Sequence, residues 1–197
     1  MSDRQPDFAA LIGSRICHDL ISPLGAIGNG VELLSMSGAG GGPELALIAD
    51  SVANANARIR FFRIAYGAAA GEVAEGEIRS ILTGMADGGR VAIDWQITGP
   101  VSRKRAKLAF LALQCLETAL PFGGTVTVTA PGVVWEARAE GARLAVDVAL
   151  WANLTAPAPA PDPAITPAQL QFALLPVEAG PGGIDLRKTE DSLTIRF

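Results

Sequence analysis

The chain contains a single histidine, His18, within the segment Arg15-Ile-Cys-His-Asp-Leu-Ile-Ser-Pro-Leu24. Near neutral pH an imidazole can act as a nucleophile, and the bonding of one ring nitrogen sets the reactivity of the other. Asp19 follows directly, so a carboxylate is available to orient the ring or to stabilise its charged form. We therefore predict that His18 is a nucleophile, reacting through Nε2, and that Asp19 is its orienting partner. A solvated histidine and a solvated aspartate are the alternatives.

The residues around His18 have the pattern of an amphipathic helix over positions 8–36. At about 100° per residue the apolar positions fall within roughly 120° of arc, and His18 lies close to the opposite side. A histidine buried for packing would lie inside the apolar stripe, so His18 is predicted on the outer face. The stripe consists of Ile12, Ile16, Leu20, Leu24, Ile27, Val31 and Leu34.

Small and polar residues near His18 on the outer face are predicted to contact a partner protein. Pro23 should perturb the helix one turn after His18, because proline removes a backbone donor. Glycines on this face weaken the helix but allow another protein to approach closely. The predicted docking residues are Leu11, Ser14, Arg15, Ile21, Ser22, Gly25 and Asn29, of which Leu11 and Ile21 would add apolar contacts.

A second helix is predicted after the glycine-rich loop 37–42, beginning at Pro43 and ending near Gly71. It has its own apolar stripe, and two long helices joined by a short loop lie antiparallel. A lone hairpin would leave much of these stripes uncovered. Pairing two copies into a four-helix bundle covers them, so we predict a homodimer. The second stripe consists of Leu45, Ile48, Val52, Ala55, Ile59, Phe62 and Tyr66.

The remainder of the chain predicts helices packed on one face of a mixed sheet. Residues 1–71 and 77–197 are predicted as two domains, joined by a hinge over 72–76. Helices are predicted over 77–86, 102–120 and 166–175, and a stiff proline-rich linker over 156–163. Strands are predicted over 90–97, 125–129, 135–139, 143–150, 184–188 and 193–197.

Composition excludes several functional classes. The chain of 197 residues is 49% apolar and 18% charged, enough to form a packed core. Its net charge of −4 gives no basic field for nucleic acid, and no run of about 18 apolar residues predicts a membrane span. The N-terminus has no secretory pattern. Cys17 and Cys115 are interpreted as small buried residues in a reducing compartment, so a cytoplasmic protein is predicted.

The order of these parts resembles that of sensor histidine kinases. Their phosphoacceptor box, His-Glu/Asp-x-x-x-Pro-Leu, matches His18, Asp19, Pro23 and Leu24. The resemblance implies that His18 accepts a phosphoryl group. It also implies an α+β fold, in which an antiparallel helical hairpin forms a dimeric four-helix bundle and precedes a histidine-kinase-ATPase-like (Bergerat-type) α/β sandwich.

The nucleotide-binding half departs from the kinase pattern. Thr118 stands where the kinases carry an asparagine that binds Mg²⁺, and Pro121 stands where they carry a lysine. The Asp-x-Gly-x-Gly loop expected after Val146 is absent, and only Gly180-Pro-Gly-Gly183 remains of the last glycine-rich box. We therefore expect no ATP, no other cofactor and no metal on this chain.

A histidine-kinase body without these motifs resembles the ChpT-type histidine phosphotransferases. That resemblance implies a protein phosphotransferase without autokinase activity. His18 would accept a phosphoryl group from the receiver domain of a hybrid histidine kinase and pass it to response-regulator receivers, which would supply the Mg²⁺. The alternatives are an ATP-dependent histidine kinase and a non-catalytic dimeric scaffold or inhibitor of two-component proteins.

Overall fold

Two long helices open the computed structural model, which describes residues 8–37, 42–86, 89–156 and 165–197. Helix α1 (Phe8–Ser37) continues through Pro23, and helix α2 (Pro43–Ala65) begins with a proline in its first turn. The two pack side by side and antiparallel, as predicted. They approach closely at Gly30, where a Cβ atom would lie 2.5 Å from Cγ1 of Ile48. Most of the predicted loop between them, 38–41, lies outside the described residues.

The hairpin leaves part of its apolar surface uncovered within this chain. Five side chains of the two predicted apolar stripes are between 42% and 58% exposed. We call them the hairpin apolar face; they are Leu24, Val31, Leu45, Val52 and Ile59.

The rest of the chain forms a five-stranded sheet with helices packed against it. The strand order is β2-β4-β5-β7-β6, in which β2 and β4 pair in parallel and all other neighbours are antiparallel. The elements are β1 (Glu72–Val73), α3 (Glu75–Ala86), β2 (Val91–Trp95), β3 (Val101–Ser102), α4 (Arg103–Thr118), β4 (Gly124–Thr129), β5 (Glu136–Glu140), α5 (Val148–Ala152), α6 (Leu170–Ala179), β6 (Asp185–Lys188) and β7 (Ser192–Arg196).

Helix α4 is the centre of the core. Ser102 caps it by accepting a hydrogen bond from the Arg105 backbone, and nearly every side chain from Ala106 to Leu116 is buried. One side of α4 contacts strands β4 and β5, and another contacts α2, where Phe110 stacks on Phe61 with ring centroids 4.6 Å apart. The hairpin and the sheet therefore share one apolar core. The division into domains 1–71 and 77–197 stays a prediction.

Lys107, which is nearly buried, connects three parts of the chain beside this core. Lys107 of α4 donates a hydrogen bond to the backbone oxygen of Gly67, 3.1 Å away, just after the hairpin ends. Its ammonium also forms an ion pair with Glu178 of α6. A charge that is largely removed from water is tolerated when it is paired in this way.

The prediction of a hinge over 72–76 is wrong. Strand β1 occupies its first two residues and pairs antiparallel with β3, and α3 begins at Glu75. The backbone N–H of Arg103 also donates to the oxygen of Gly71 at 2.8 Å. Backbone pairing with a segment about thirty residues away consumes the groups that a free hinge would expose to water.

The prediction of a strand over 143–150 is also wrong. Strand β5 already pairs with β4 on one edge and with β7 on the other, so no edge is free for a further hairpin partner. The chain instead forms α5, capped by the Asp147 carboxylate, which accepts from the Leu150 N–H at 3.1 Å.

The remaining predicted elements are present with shifted ends. The helix expected over 166–175 consists of a short 3₁₀ turn, Pro167–Gln169, followed by α6, which extends to Ala179. Cys115 is buried, as predicted, whereas the side chain of Cys17 and most of the proline-rich linker lie outside the described residues. In the part of the chain described here, no helix is both long and apolar enough to cross a membrane.

Candidate functional site

His18 projects from α1 into solvent, with its side chain 80% exposed. This exposure confirms the prediction that it lies outside the apolar stripe. Its Nδ1 lies 3.0 Å from Oδ1 of Asp19, within hydrogen-bond distance. Nε2 has no hydrogen-bond partner among the described residues, so it is the ring nitrogen open to an approaching group.

The Asp19 carboxylate is much less exposed than the imidazole it contacts. Its side chain is only 12% exposed, and its second oxygen, Oδ2, accepts a hydrogen bond from Nε of Arg15 at 2.9 Å. Arg15 Nη1 in turn donates to the backbone oxygen of Ala168 at 2.8 Å. A continuous series of hydrogen bonds thus runs from the exposed imidazole to the turn that precedes α6.

A groove of about 820 Å³ opens beside His18, between α1, α2 and the end of α3. On the far side of the groove, Arg58 donates from Nε to Asn54 at 2.8 Å, and Asn54 donates to the backbone oxygen of Gly84 at 3.2 Å. The residues that line it include His18, Asp19, Ser22, Pro23, Ala26, Asp50, Ser51, Asn54, Arg58 and Gly84.

The α2 side of this groove was not predicted from the sequence. Asn54 and Arg58 are separated by four residues, so they lie on one helix face. The antiparallel register, set where Gly30 meets Ile48, brings that face opposite His18. Counting residues outward from the loop in both helices could have identified them, whereas Gly84 comes from α3 and carries no comparable signal.

The charges of Arg15 and Asp19 act on two ionisable groups of neighbouring elements, Tyr66 and Glu117. Burial raises the pKa of Glu117, at the end of α4, although the nearby charges of Arg15 and Arg58 lower it. Burial likewise raises the pKa of Tyr66, with the charge of Arg15 opposing the rise. The Tyr66 hydroxyl donates to Gln114 at 3.0 Å. The charge of Arg15 therefore influences groups of both the hairpin region and α4.

Four of the predicted docking residues lie exposed on α1 around His18. Ile21 is the largest, with 67% exposure, and a Cβ atom at Gly25 would meet no other atom within 4 Å. These positions offer an accessible surface of mixed polarity and low relief. The four are Ile21, Ser22, Gly25 and Asn29.

None of the other three predicted docking residues is shown to be exposed. The prediction that Arg15 lies on the outer face is wrong: its side chain is only 16% exposed, because Asp19 and Ala168 both accept its hydrogen bonds. The side chains of Leu11 and Ser14 lie outside what the structure describes. Any contact of these three residues with a partner protein stays a prediction.

The residues at the kinase-like nucleotide positions make local contacts. The Thr118 hydroxyl donates to the backbone oxygen of Cys115 at 2.7 Å, and Asp147 caps α5 where the kinases have a glycine-rich loop. Within the described ranges, no three or more His, Cys, Asp or Glu side chains form a group that could hold a metal ion. The expectation that ATP and metals do not bind remains a prediction.

Comparisons with known proteins relate this geometry to a family. Residues 75–191 match the family model described as the histidine phosphotransferase C-terminal domain. The chain is 38% identical over 130 residues to the protein phosphotransferase ChpT of Brucella abortus (strain 2308). That alignment covers 64% of this chain and 62% of the relative, so it spans less than two thirds of the relative's length. The structure of a bacterial phosphotransferase superposes with a TM-score of 0.78 and 30% identity, over 96% of this chain and 95% of that one.

Proposed function

Since the chain belongs to the histidine phosphotransferase family, we propose that it transfers phosphoryl groups in a bacterial two-component phosphorelay. His18 accepts the group from the receiver aspartate of a hybrid histidine kinase and donates it to the receiver aspartates of response regulators. The observation that carries this proposal is the exposed His18 imidazole, whose Nδ1 is occupied by Asp19 and whose Nε2 is open.

The geometry supports a direct displacement mechanism. With its proton on Nδ1 donated to Asp19 Oδ1, the neutral imidazole presents the Nε2 lone pair to phosphorus. As the N–P bond forms, the P–O bond to the receiver aspartate breaks and the aspartate leaves as a carboxylate. The ring then carries a positive charge, which the Asp19 carboxylate stabilises. Transfer to the next receiver is the same step in reverse.

Most of the charge neutralisation in phosphoryl transfer would come from the partner. A loose transition state needs in-line positioning and cations near the phosphoryl oxygens. The acidic pocket of the receiver would hold Mg²⁺, which would supply that charge, so the proposal requires neither metal nor ATP on this chain. The roles left to this chain are to present Nε2 and to dock the receiver.

The receiver is proposed to dock on the exposed part of α1 and in the groove beside it. The small residues on α1 allow a close approach of the partner backbone, and Ile21 supplies apolar contact area. Arg58 and Asn54 can recognise polar groups across the groove.

We further propose that two copies pair through the hairpin apolar face into a four-helix bundle. The residues of the hairpin apolar face repeat at intervals of seven residues, from Leu24 to Val31 on α1 and from Leu45 to Val52 to Ile59 on α2. That interval is typical of helices packed along one seam. The sheet with its helices is proposed to be a degenerate Bergerat-type domain, and the dimer is proposed to act in the cytoplasm.

The deciding experiment measures label transfer from a phosphorylated receiver domain to the chain and onward to a second receiver. His18→Ala should abolish transfer, because no other imidazole exists in the sequence. Met36→Ala, an exposed position at the far end of α1, is the matched control and should transfer as the wild type does. Full transfer by the His18→Ala variant would refute the proposal.

Two other functions predict different results. An ATP-dependent histidine kinase would bind nucleotide, so a calorimetric titration showing micromolar ATP affinity would favour it. A non-catalytic scaffold would bind receivers and keep its biological effect in the His18→Ala variant. The open Nε2 and the family membership favour the phosphotransferase over both.

A further inference from the structure

We propose that Arg15 is a positioning residue, which holds the Asp19 carboxylate against Nδ1 of His18 and fixes it to the turn before α6. The inference rests on the proposed function of His18 and deepens it. It assigns the C-terminal part of the chain a direct part in presenting the phosphoacceptor.

The two carboxylate oxygens of Asp19 contact different side chains. Oδ2 accepts from Arg15 Nε at 2.9 Å, whereas Oδ1 lies 3.0 Å from His18 Nδ1. Rotation of the Asp19 carboxylate about its Cβ–Cγ bond would break the contacts with both Arg15 and His18. The hydrogen bond from Arg15 is charge-assisted and largely shielded from water, so it is stronger than an exposed one.

Arg15 is itself held by a distant part of the chain. Nη1 donates to the Ala168 oxygen at 2.8 Å, 153 residues further along the sequence. A planar guanidinium has donors at fixed angles, so binding at Ala168 sets the direction in which Nε points. Lysine offers one ammonium on a flexible stem and cannot fix both acceptors in the same way.

The acceptor at Ala168 belongs to a turn that has hydrogen bonds of its own. The backbone N–H of Thr166 donates to the Gln169 side chain at 3.2 Å, closing a capping box. The buried side chain of Gln171 donates to the same Ala168 oxygen at 3.1 Å. The turn leads directly into α6, whose first residue, Leu170, is fully buried. Arg15 therefore shares with Gln171 a backbone oxygen of the turn that leads into the buried start of α6.

The surroundings of Arg15 agree with this role. Glu117 of α4 lies near enough for the charge of Arg15 to lower its pKa, against the rise caused by burial. The charge of the guanidinium thus acts on a carboxyl group of α4 as well as on the Asp19 carboxylate of the hairpin. Loss of Arg15 would leave Asp19 without its charge-assisted donor and free to turn away from His18.

The consequence for the imidazole is a change of tautomer. Asp19 stabilises the neutral ring with its proton on Nδ1, which leaves the Nε2 lone pair available. Without Arg15, a rotated or solvated carboxylate would favour this tautomer less. The fraction of molecules with a reactive Nε2 would fall, and the receiver would more often meet a protonated nitrogen.

The experiment compares wild type, Arg15→Ala, Arg15→Lys and Arg63→Ala by nitrogen-15 NMR of the imidazole, at a pH where the ring is neutral. Because His18 is the only histidine, the spectrum contains one pair of ring nitrogens. Arg63 is the matched control: it also joins the hairpin to the sheet part, pairing with Glu77 at 3.0 Å, but takes no part in the Asp19–His18 contacts. Transfer rates from a phosphorylated receiver are measured in parallel.

We expect Nδ1–H as the major tautomer of the wild type and of Arg63→Ala. Arg15→Ala should shift the population toward Nε2–H and slow transfer by on the order of ten- to a hundredfold. Arg15→Lys should give an intermediate result in both measurements, and it decides the question if Arg15→Ala does not fold. Arg15 variants with the wild-type tautomer ratio would overturn the inference whether or not transfer is slow, because slow transfer alone indicates a contact with the receiver.

The tautomer is measured on the free protein, so its outcome is independent of the proposed function. A wild type that fails to transfer label, or a His18→Ala variant that succeeds, counts against phosphotransfer alone. An unchanged tautomer ratio beside normal wild-type transfer counts against the role of Arg15 alone.

Discussion

Glu117 is a residue whose ionisation should affect stability in the acidic to neutral pH range. Burial raises its pKa above the reference value of 4.5, so the folded state binds this proton more tightly than the unfolded state does. The free energy of unfolding therefore falls as pH rises from the unfolded-state pKa to the folded-state pKa, and stays lower above it.

Glu117→Gln should remove this pH dependence, because the amide has no proton to lose. We expect the variant to have a higher Tm than the wild type at neutral pH, with the difference shrinking toward acidic pH. Thermal unfolding across that range measures it. Glu190→Gln, in an exposed turn, controls for the loss of one negative charge. A variant less stable than the wild type at neutral pH would mean that Glu117 acts as a counter-charge for Arg15 and Arg58.

For single residues, the sequence predicts exposure and contacts that depend on neighbours along one helix. It does not predict contacts with residues that are distant in the chain. The exposure of His18 follows from the helical period, and its contact with Asp19 follows from adjacency. The burial of Arg15 could not be predicted, because its second acceptor is a backbone oxygen 153 residues away. A basic residue beside a predicted phosphoacceptor on a polar helix face is naturally interpreted as a docking residue as long as its distant acceptor is unknown.

Among the elements, the two hairpin helices meet most closely at Gly30. A Cβ atom there would lie 2.5 Å from Ile48 Cγ1 and 3.4 Å from the Glu44 oxygen. Gly28, on the same helix, has open space at the corresponding position. Substitution by alanine should therefore have opposite effects on the free energy of unfolding at these two glycines.

Gly30→Ala should lower the free energy of unfolding by about 1–3 kcal/mol, because the helices must separate or Ile48 must leave its rotamer. Gly28→Ala should raise it by about 0.5–1 kcal/mol, because alanine loses less conformational entropy in a helix than glycine does. Urea unfolding of the two variants beside the wild type measures both changes. Equal effects of the two substitutions would contradict the close packing at Gly30.

Most helices and strands could be predicted because their capping residues and apolar periodicity lie within one short segment of sequence. Helix α4, for example, follows from a serine cap before an apolar run, and the structure adds only its burial on all sides. The strand predicted over 143–150 failed for a non-local reason: alternation in sequence cannot reveal that both edges of β5 are already paired. The hinge over 72–76 failed likewise, because β3 pairs with β1.

For the molecule as a whole, the proposed dimer depends on the hairpin apolar face. Val52→Glu should convert the proposed dimer to a monomer, since two unpaired carboxylates would be buried at the seam of a two-fold bundle. Val177→Glu, on α6 and similarly exposed in one chain, should leave the mass unchanged. Sedimentation equilibrium at micromolar concentration measures the mass. A monomeric wild type would exclude the bundle at that concentration.

A helical hairpin followed by a sheet with helices could be predicted from the sequence, but the contacts that join the hairpin to the sheet could not. The stripe on α2 predicts that Phe62 is buried, and it is. Nothing in the pattern indicates that neighbouring Phe61 stacks on Phe110 of α4, because that contact depends on how α4 lies across the sheet. The same holds for the groove beside His18, which needs Gly84 of α3 to close it.

The shared core also has a thermodynamic consequence. Phe61 stacks on Phe110, Lys107 holds the backbone at Gly67, and Arg103 donates to Gly71, so the hairpin cannot lose its structure without exposing the interior of the sheet part. Unfolding should then be all-or-none, with equal calorimetric and van't Hoff enthalpies. Any substitution that weakens the sheet interior therefore lowers the ratio of intact to unfolded His18 sites by the factor by which it lowers the folding equilibrium constant, however far from the histidine it lies.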